Sequence, residues 1–248
     1  MKKHVVPPPD VCPYRDFQEA LKRLKAAMTD RQGYALLLGE SGTGKTTLLR
    51  ALAAALDRRN FQVLYLSSGR LSRRGLLSVL IDVFRLPWNL SDPQAHRHIV
   101  EKLHEIPTRL VFLLDEAQLM RDDPLAEIRL LAEADIEGAP LFSVVLSAQP
   151  QFKERLATPS FSAFWRRISP RVTLTGLVRD EVAPFLTHAM GKDVAARFSP
   201  DALSALFKQA RGLPAQLLTF VAVCLRGRSQ GVITAEMVIA ALDDPDVA

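Results

Sequence analysis

Two hydrophobic periods alternate along this chain. Short apolar runs fall at Ala35–Leu38, Gln62–Leu66, Leu110–Leu114, Leu141–Leu146 and Arg171–Leu174. Most are near-continuous, as expected of parallel strands covered by helices on both faces. Helical patterns lie between them near 45–57, 71–86, 94–105 and 125–135, with shorter pieces at 150–168. Upstream, Phe17, Leu21, Leu24 and Met28 recur at spacings of three and four, which predicts an amphipathic helix with Lys22, Arg23 and Lys25 on its outer face. Pro7, Pro8, Pro9 and Pro13 predict an extended arm before it. After Gly176 the strand signals stop, and helical segments follow at roughly 179–190, 200–210, 214–226 and 234–242. Ser199-Pro200 and Thr234 supply start signals for two of these. The pattern predicts an arm and helix at 1–30, an α/β layered core at 31–176 and a small all-helical domain at 177–248.

Composition narrows the class. The chain has 248 residues, 48% of them hydrophobic, which is too much apolar matter for a disordered polypeptide. Its apolar runs are short against the roughly 20 residues of a membrane span, so no membrane partner is expected. The start MKKHVVPPPD lacks the apolar stretch of a secretory signal. Cys12 and Cys224 lack metal-type spacing and suit a reduced, cytoplasmic protein, Cys224 as a small core residue. The net charge of +5 is compatible with a polyanionic partner without requiring one.

The chemistry concentrates in two places. Gly39, Glu40, Ser41, Gly42, Thr43, Gly44, Lys45 and Thr46 fit G-x-x-x-x-G-K-[ST] in full, with an apolar strand leading in and a helix former leading out through Thr47. Glycines allow a tight turn whose N–H groups point at phosphate oxygens, and the helix N-terminus adds partial positive charge. Lys45 is expected on the β- and γ-phosphates of ATP and Thr46 on Mg²⁺. The second place is Leu110-Val111-Phe112-Leu113-Leu114-Asp115-Glu116. A buried-type strand ending in two acids puts Asp115 at the carboxyl end of the sheet, where it would orient Mg²⁺, and Glu116 one residue on, where it would act as general base. Asp122 and Asp123 read as loop or capping acids, and His96 and His98, two apart, do not share a helix face for a metal.

With the motif at 39–46, the DEAQ run at 115–118 and the SAQP run at 147–150, the chain resembles AAA+ ATPases. Within them it resembles the ExeA/TniB/TnsC/MuB-like group of bacterial helper ATPases, over roughly residues 15 to 242. The resemblance implies a P-loop NTPase αβα sandwich with a five-stranded parallel sheet in the order 5-1-4-3-2 and a helical lid. It also implies a sensor of the γ-phosphate at Ser147 or Gln149, and an arginine finger for a neighbouring subunit at Arg167, or at Arg166. The group's usual Gly-x-Pro-Arg is replaced by Gly212-Leu213-Pro214-Ala215, so Arg211 or Gln216 would substitute, or the lid would sense nucleotide through packing alone.

Arg70, Arg73 and Arg74 follow the second strand, where DNA-binding relatives track a phosphate backbone; the alternative is a solvated helix start. Trp88 and Trp165 read as packing or subunit-contact residues. Together these features imply ATP and Mg²⁺ as cofactors and a homo-oligomer, ring or filament, on double-stranded DNA. The expected role is a transposition helper that selects a target and recruits a transposase. Two rival readings are an ExeA-like secretion-assembly ATPase, from which the chain is expected to differ by lacking a membrane segment, and a weakly hydrolysing nucleotide-dependent switch.

Overall fold

The computed structural model describes residues 12, 14–67, 71–135, 139–226 and 230–243. Their contacts divide into two bodies. Of the described residues, the first holds those within 20–39 and 45–173, and the second those within 12–19, 40–44 and 174–243.

The first body is built on a sheet of five strands: β1 (Tyr34–Gly39), β2 (Phe61–Ser67), β3 (Arg109–Asp115), β4 (Ser143–Ala148) and β5 (Ile168–Leu174). Their order across the sheet is β2-β3-β4-β1-β5, the expected 5-1-4-3-2 written from the other edge. The pairs β1 with β4, β3 with β4 and β2 with β3 are parallel. Sequence pattern follows position: the inner strands β1 and β4 are buried at every residue, whereas β2 and β5 at the edges alternate. Helices α2 (Lys45–Ala55), α3 (Arg73–Phe84), α4 (Asp92–Glu105), α5 (Asp122–Ala132), α6 (Phe152–Leu156) and α7 (Ser162–Arg167) connect them. Helix α3 starts on Ser72, whose side chain accepts from the Gly75 N–H, and at the start of α4 the Gln94 side chain reaches back to accept from the Ser91 N–H at 3.0 Å. The core gathers Leu36, Leu80, Ile99, Phe112, Phe142 and Leu146 among others, with Phe112 and Phe142 edge to face at 5.0 Å.

Register places the chemistry. Leu37 of β1 lies beside Ser147, Leu114 of β3 beside Leu146, and Ser67 of β2 beside Asp115. The carboxyl ends of three adjacent strands therefore carry Gly39, Ser147 and Asp115.

The second body contains α8 (Val182–Met190), α9 (Lys192–Ala195), α10 (Pro200–Ala210), α11 (Pro214–Leu225) and α12 (Ala235–Leu242). Helix α10 is capped by the Ser199 side chain with Pro200 in its first turn, and α12 is capped by Thr234. A parallel bridge pairs Phe198 with Ile233. At the entry to this body Gly176, at φ 106°, lets the Leu177 N–H reach the Gly212 carbonyl at 2.8 Å. A Cβ on Gly176 would stand 2.4 Å from that carbonyl oxygen, so the crossing requires glycine. Cys224 is fully buried here.

The helix α1 (Arg15–Thr29) begins in this body, where Asp16 accepts from the Thr175 N–H at 2.6 Å and Glu181 from the Arg15 N–H at 2.8 Å. Residues 1–11, on which the extended arm was expected, lie outside the described residues.

Candidate active site

The loop between β1 and α2 is shaped by Gly42 and Gly44, both left-handed at φ 85° and 97°. Side chains rarely adopt that conformation, which is why the motif specifies glycine there. Thr43 closes the turn locally, donating from its N–H and its hydroxyl to the Glu40 carbonyl at 3.3 and 2.8 Å. Within the second body the loop has two further partners. The Tyr14 hydroxyl donates to the Thr43 carbonyl at 2.6 Å, and the Ala215 N–H donates to the Gly42 carbonyl at 3.2 Å. Burial pushes the Tyr14 phenol up, so it stays a donor. Arg211 and Gln216 are exposed, and Ala215 itself meets the loop through its backbone.

Lys45 opens α2 and is buried, its ammonium donating to the Gly39 carbonyl at 2.9 Å. The first turn of any helix has N–H groups without helical acceptors, so this end of α2 is suited to an anion. Thr47 is half-buried in the same turn.

Asp115 is the hub of the first body. It is 2% exposed, and four donors reach its two oxygens. Thr46 Oγ1 and the Tyr65 hydroxyl donate to Oδ2 at 2.6 and 2.8 Å; Ser147 Oγ and the Glu116 N–H donate to Oδ1 at 3.0 Å each. These bonds compensate the burial of the carboxylate and hold it rigid. Thr46 and Asp115 thus present two hard oxygens side by side, the donor chemistry that suits Mg²⁺.

Glu116 follows in a left-handed backbone, φ 54°, that turns the chain from β3 into the 3-10 turn Ala117–Leu119. Gln118 Nε2 donates to Glu116 Oε2 at 2.5 Å, and Gln118 Oε1 accepts from the Gln149 N–H at 3.2 Å. Of the two sensor candidates, Ser147 therefore touches Asp115 through its side chain, while Gln149 joins the network through its backbone.

Sequence reasoning missed Tyr65. Burial first, then its bond to Asp115, push its phenol up to about 12, so it remains a donor at neutral pH. The β2 run reads as apolar, and the position of Tyr65, two residues before the one beside Asp115, emerges only from the register.

The arginines lie elsewhere. Arg167, at the end of α7, is ion-paired with Glu133, which also accepts from the Tyr34 hydroxyl at 3.2 Å. Arg166 is exposed. Arg73 binds the buried Glu127 at 2.7 Å and lies 3.7 Å from Asp92, to which Arg74 is paired. Glu127 also accepts His96 Nδ1 at 2.9 Å, so His96 has a carboxylate partner, and His98 pairs with Glu101. Arg73 and Arg74 are thus engaged by acids of the same chain, although their side chains stay 45% and 54% exposed. Arg70 lies outside the described residues.

The AAA domain family, described as "AAA domain", matches residues 28–156, more than half of the chain. This chain is an AAA protein. Over 204 residues it is 31% identical to the General secretion pathway protein A of Aeromonas hydrophila, a match covering 79% of the AAA protein and 37% of that relative's length. Among solved structures it is similar to the Aeropyrum pernix Orc1 protein in complex with DNA, with TM-score 0.63 and 19% identity over 94% of this chain and 65% of that one. Cdc6p from Pyrobaculum aerophilum gives TM-score 0.68 at 19% identity, covering 89% and 64%. A Thermotoga maritima RuvB variant gives 0.57 at 18%, covering 92% and 67%. At these identities the likeness establishes the fold. The AAA protein thus spans well under half of its secretion-pathway relative and about two thirds of these structural neighbours. No helix among the described residues is long and apolar enough to cross a membrane.

Proposed function

We propose that this AAA protein is a Mg²⁺-dependent ATPase that assembles on double-stranded DNA and acts as a transposition helper, selecting the target and recruiting a transposase. The observation that carries the enzymatic part is the Asp115 hub, where Thr46 and Ser147 meet one rigid carboxylate with Glu116 beside it.

The loop N–H groups and Lys45 would hold the phosphates, and Thr46 and Asp115 would hold the metal. Mg²⁺, when bound, supplies neutralisation of charge on the phosphate oxygens. Glu116 would orient and deprotonate the attacking water, and Ser147, already on Asp115, would report the phosphate state through that carboxylate. Arg167, at the exposed end of α7, would reach a neighbour's nucleotide, making hydrolysis depend on assembly. ATP binding would assemble a ring or filament and hydrolysis would dismantle it.

The DNA part is supported by the motif resemblance, by the basic outer face of α1, where Lys22, Arg23 and Lys25 are exposed, and by the exposure Arg74 keeps beside Asp92. The test is ATP-dependent retention of a generic duplex across a salt series. Retention that weakens steeply with salt is expected, with a slope reduced by about one unit in Arg74→Gln. Absence of any salt-sensitive retention would remove the DNA role. Arg73 is unsuited to this test because it also holds Glu127.

A second reading, a secretion-assembly ATPase, is favoured by the 31% identity to General secretion pathway protein A. It expects phosphate release indifferent to duplex, whereas the first expects stimulation.

A further inference from the structure

The DEAQ run ends on a glutamine that the ATPase chemistry above leaves without a task. Its surroundings give it one. Gln118 is half-buried, and both ends of its amide are used: Nε2 donates to Glu116 Oε2 at 2.5 Å and Oε1 accepts the Gln149 N–H at 3.2 Å. The backbone N–H can only donate and the carboxylate accepts, so these two partners fix which way round the amide lies. The turn carrying Gln118 is pinned as well. The Leu119 N–H returns to the Glu116 carbonyl at 2.9 Å, and the Arg155 guanidinium binds the Met120 carbonyl at 2.6 Å and the Gln118 carbonyl at 3.4 Å. Arg155 is itself held by Asp122 and lies over the Phe152 and Phe161 rings.

Glu116 needs such support. Its left-handed backbone is a conformation that side-chain-bearing residues rarely adopt, and persists where surrounding bonds over-determine it. Among the described residues, the hydrogen bond from Gln118 is the one its side chain makes, and it occupies Oε2.

We infer that Gln118 is a positioning residue for Glu116: it ties carboxylate oxygen Oε2 to the backbone of Gln149 and leaves Oε1 to face the attacking water. This inference rests on the ATPase reading. Its consequence is that the segment leaving β4 reaches both acids by separate routes. Ser147 binds Asp115 directly, and Gln149 reaches Glu116 through the Gln118 amide. A shift of this segment would therefore misplace the base and the metal-side carboxylate together.

The test is a double-mutant cycle on the full chain with Mg²⁺, ATP and duplex DNA. Gln118→Leu removes both hydrogen bonds at similar volume; Gln118→Glu keeps the acceptor for Gln149 and replaces the donor by a second carboxylate. Each is expected to lower kcat by about tenfold or more while KM for ATP stays within about twofold, because a general base contributes to the transition state and not to nucleotide binding. In the Glu116→Gln background neither substitution should lower kcat further, since the group being positioned is already lost. Losses that multiply in the double variant, or that fall on KM, would show a structural role and overturn the inference. Variants that match the wild type would overturn it too, and leave the ATPase reading intact. A wild-type chain that releases no phosphate would overturn the ATPase reading and this role with it.

Discussion

One carboxylate, Asp115, organises the residues around it. Its oxygens are shared by hydroxyls from α2, β2 and β4, so one helix start and two strands each contribute a side chain to the same few ångströms. Tyr65 is the contributor without a motif, and its role is testable apart from the others. Tyr65→Phe keeps the ring and removes the donor to Oδ2. The Mg²⁺ concentration for half-maximal phosphate release should rise by about tenfold, as for other partners that orient a metal-binding carboxylate. Magnesium-free ATP binding should be unchanged. An unaltered magnesium titration would mean that the hydroxyl merely fills space.

Among the elements, the unit of α3, α4 and α5 depends on a buried acid. Glu127, 2% exposed on α5, accepts from Arg73 on α3 and His96 on α4. Replacing it by alanine removes the acid that both share. Because Arg73 remains 45% exposed and can be rehydrated, a loss of about 1–3 kcal/mol in denaturant unfolding is expected. Glu127→Gln, which can still accept, should lose less.

This cluster also marks where sequence reading stops. Strands β1, β3 and β4 were legible because burial on both faces forces continuous apolar runs, and the loop at 39–46 because its glycines and lysine admit few substitutes. Leu141 and Phe142 extended the β4 run, yet the strand begins at Ser143, which donates to the Gln32 carbonyl. Arg73 and Arg74, expected toward a nucleic acid, carry acids of their own chain, and that pairing was illegible because Glu127 and Asp92 come from other helices. For the same reason the Gln118 bridge could not be read: its partners are close only after β3 and β4 align.

At the scale of the whole molecule, the proposed finger and the proposed base predict complementation. Arg167→Ala and Glu116→Gln should each be nearly inactive alone, with losses of about a thousandfold for the arginine. Mixed in equal amounts they should regain part of the wild-type phosphate release, because a mixed interface can pair an intact base with an intact finger. A mixture no more active than its parts would place Arg167 outside the reaction. Alkaline stability gives a separate check. All three tyrosines hold their phenols above the ordinary value, Tyr65 up to about 12 and Tyr14 and Tyr34 higher, chiefly through burial. The unfolded chain therefore ionises first as pH rises. Folding stability should be fully present below about pH 10 and decline above it, through pH 12 for Tyr65. A denaturant midpoint that is flat from pH 9 to 12 would contradict this.

Arg171 lies over the Trp165 ring at 3.5 Å and donates to the Trp165 carbonyl at 2.5 Å. Trp165 stands two residues before Arg167, and Trp88, the other tryptophan, is 59% exposed. A chain carrying Trp88→Phe would keep a single indole, so its emission would follow the candidate finger segment without an attached dye. A cation stacked on that indole makes its emission sensitive to any rearrangement of α7. The proposed subunit association could then be timed optically, nucleotide by nucleotide.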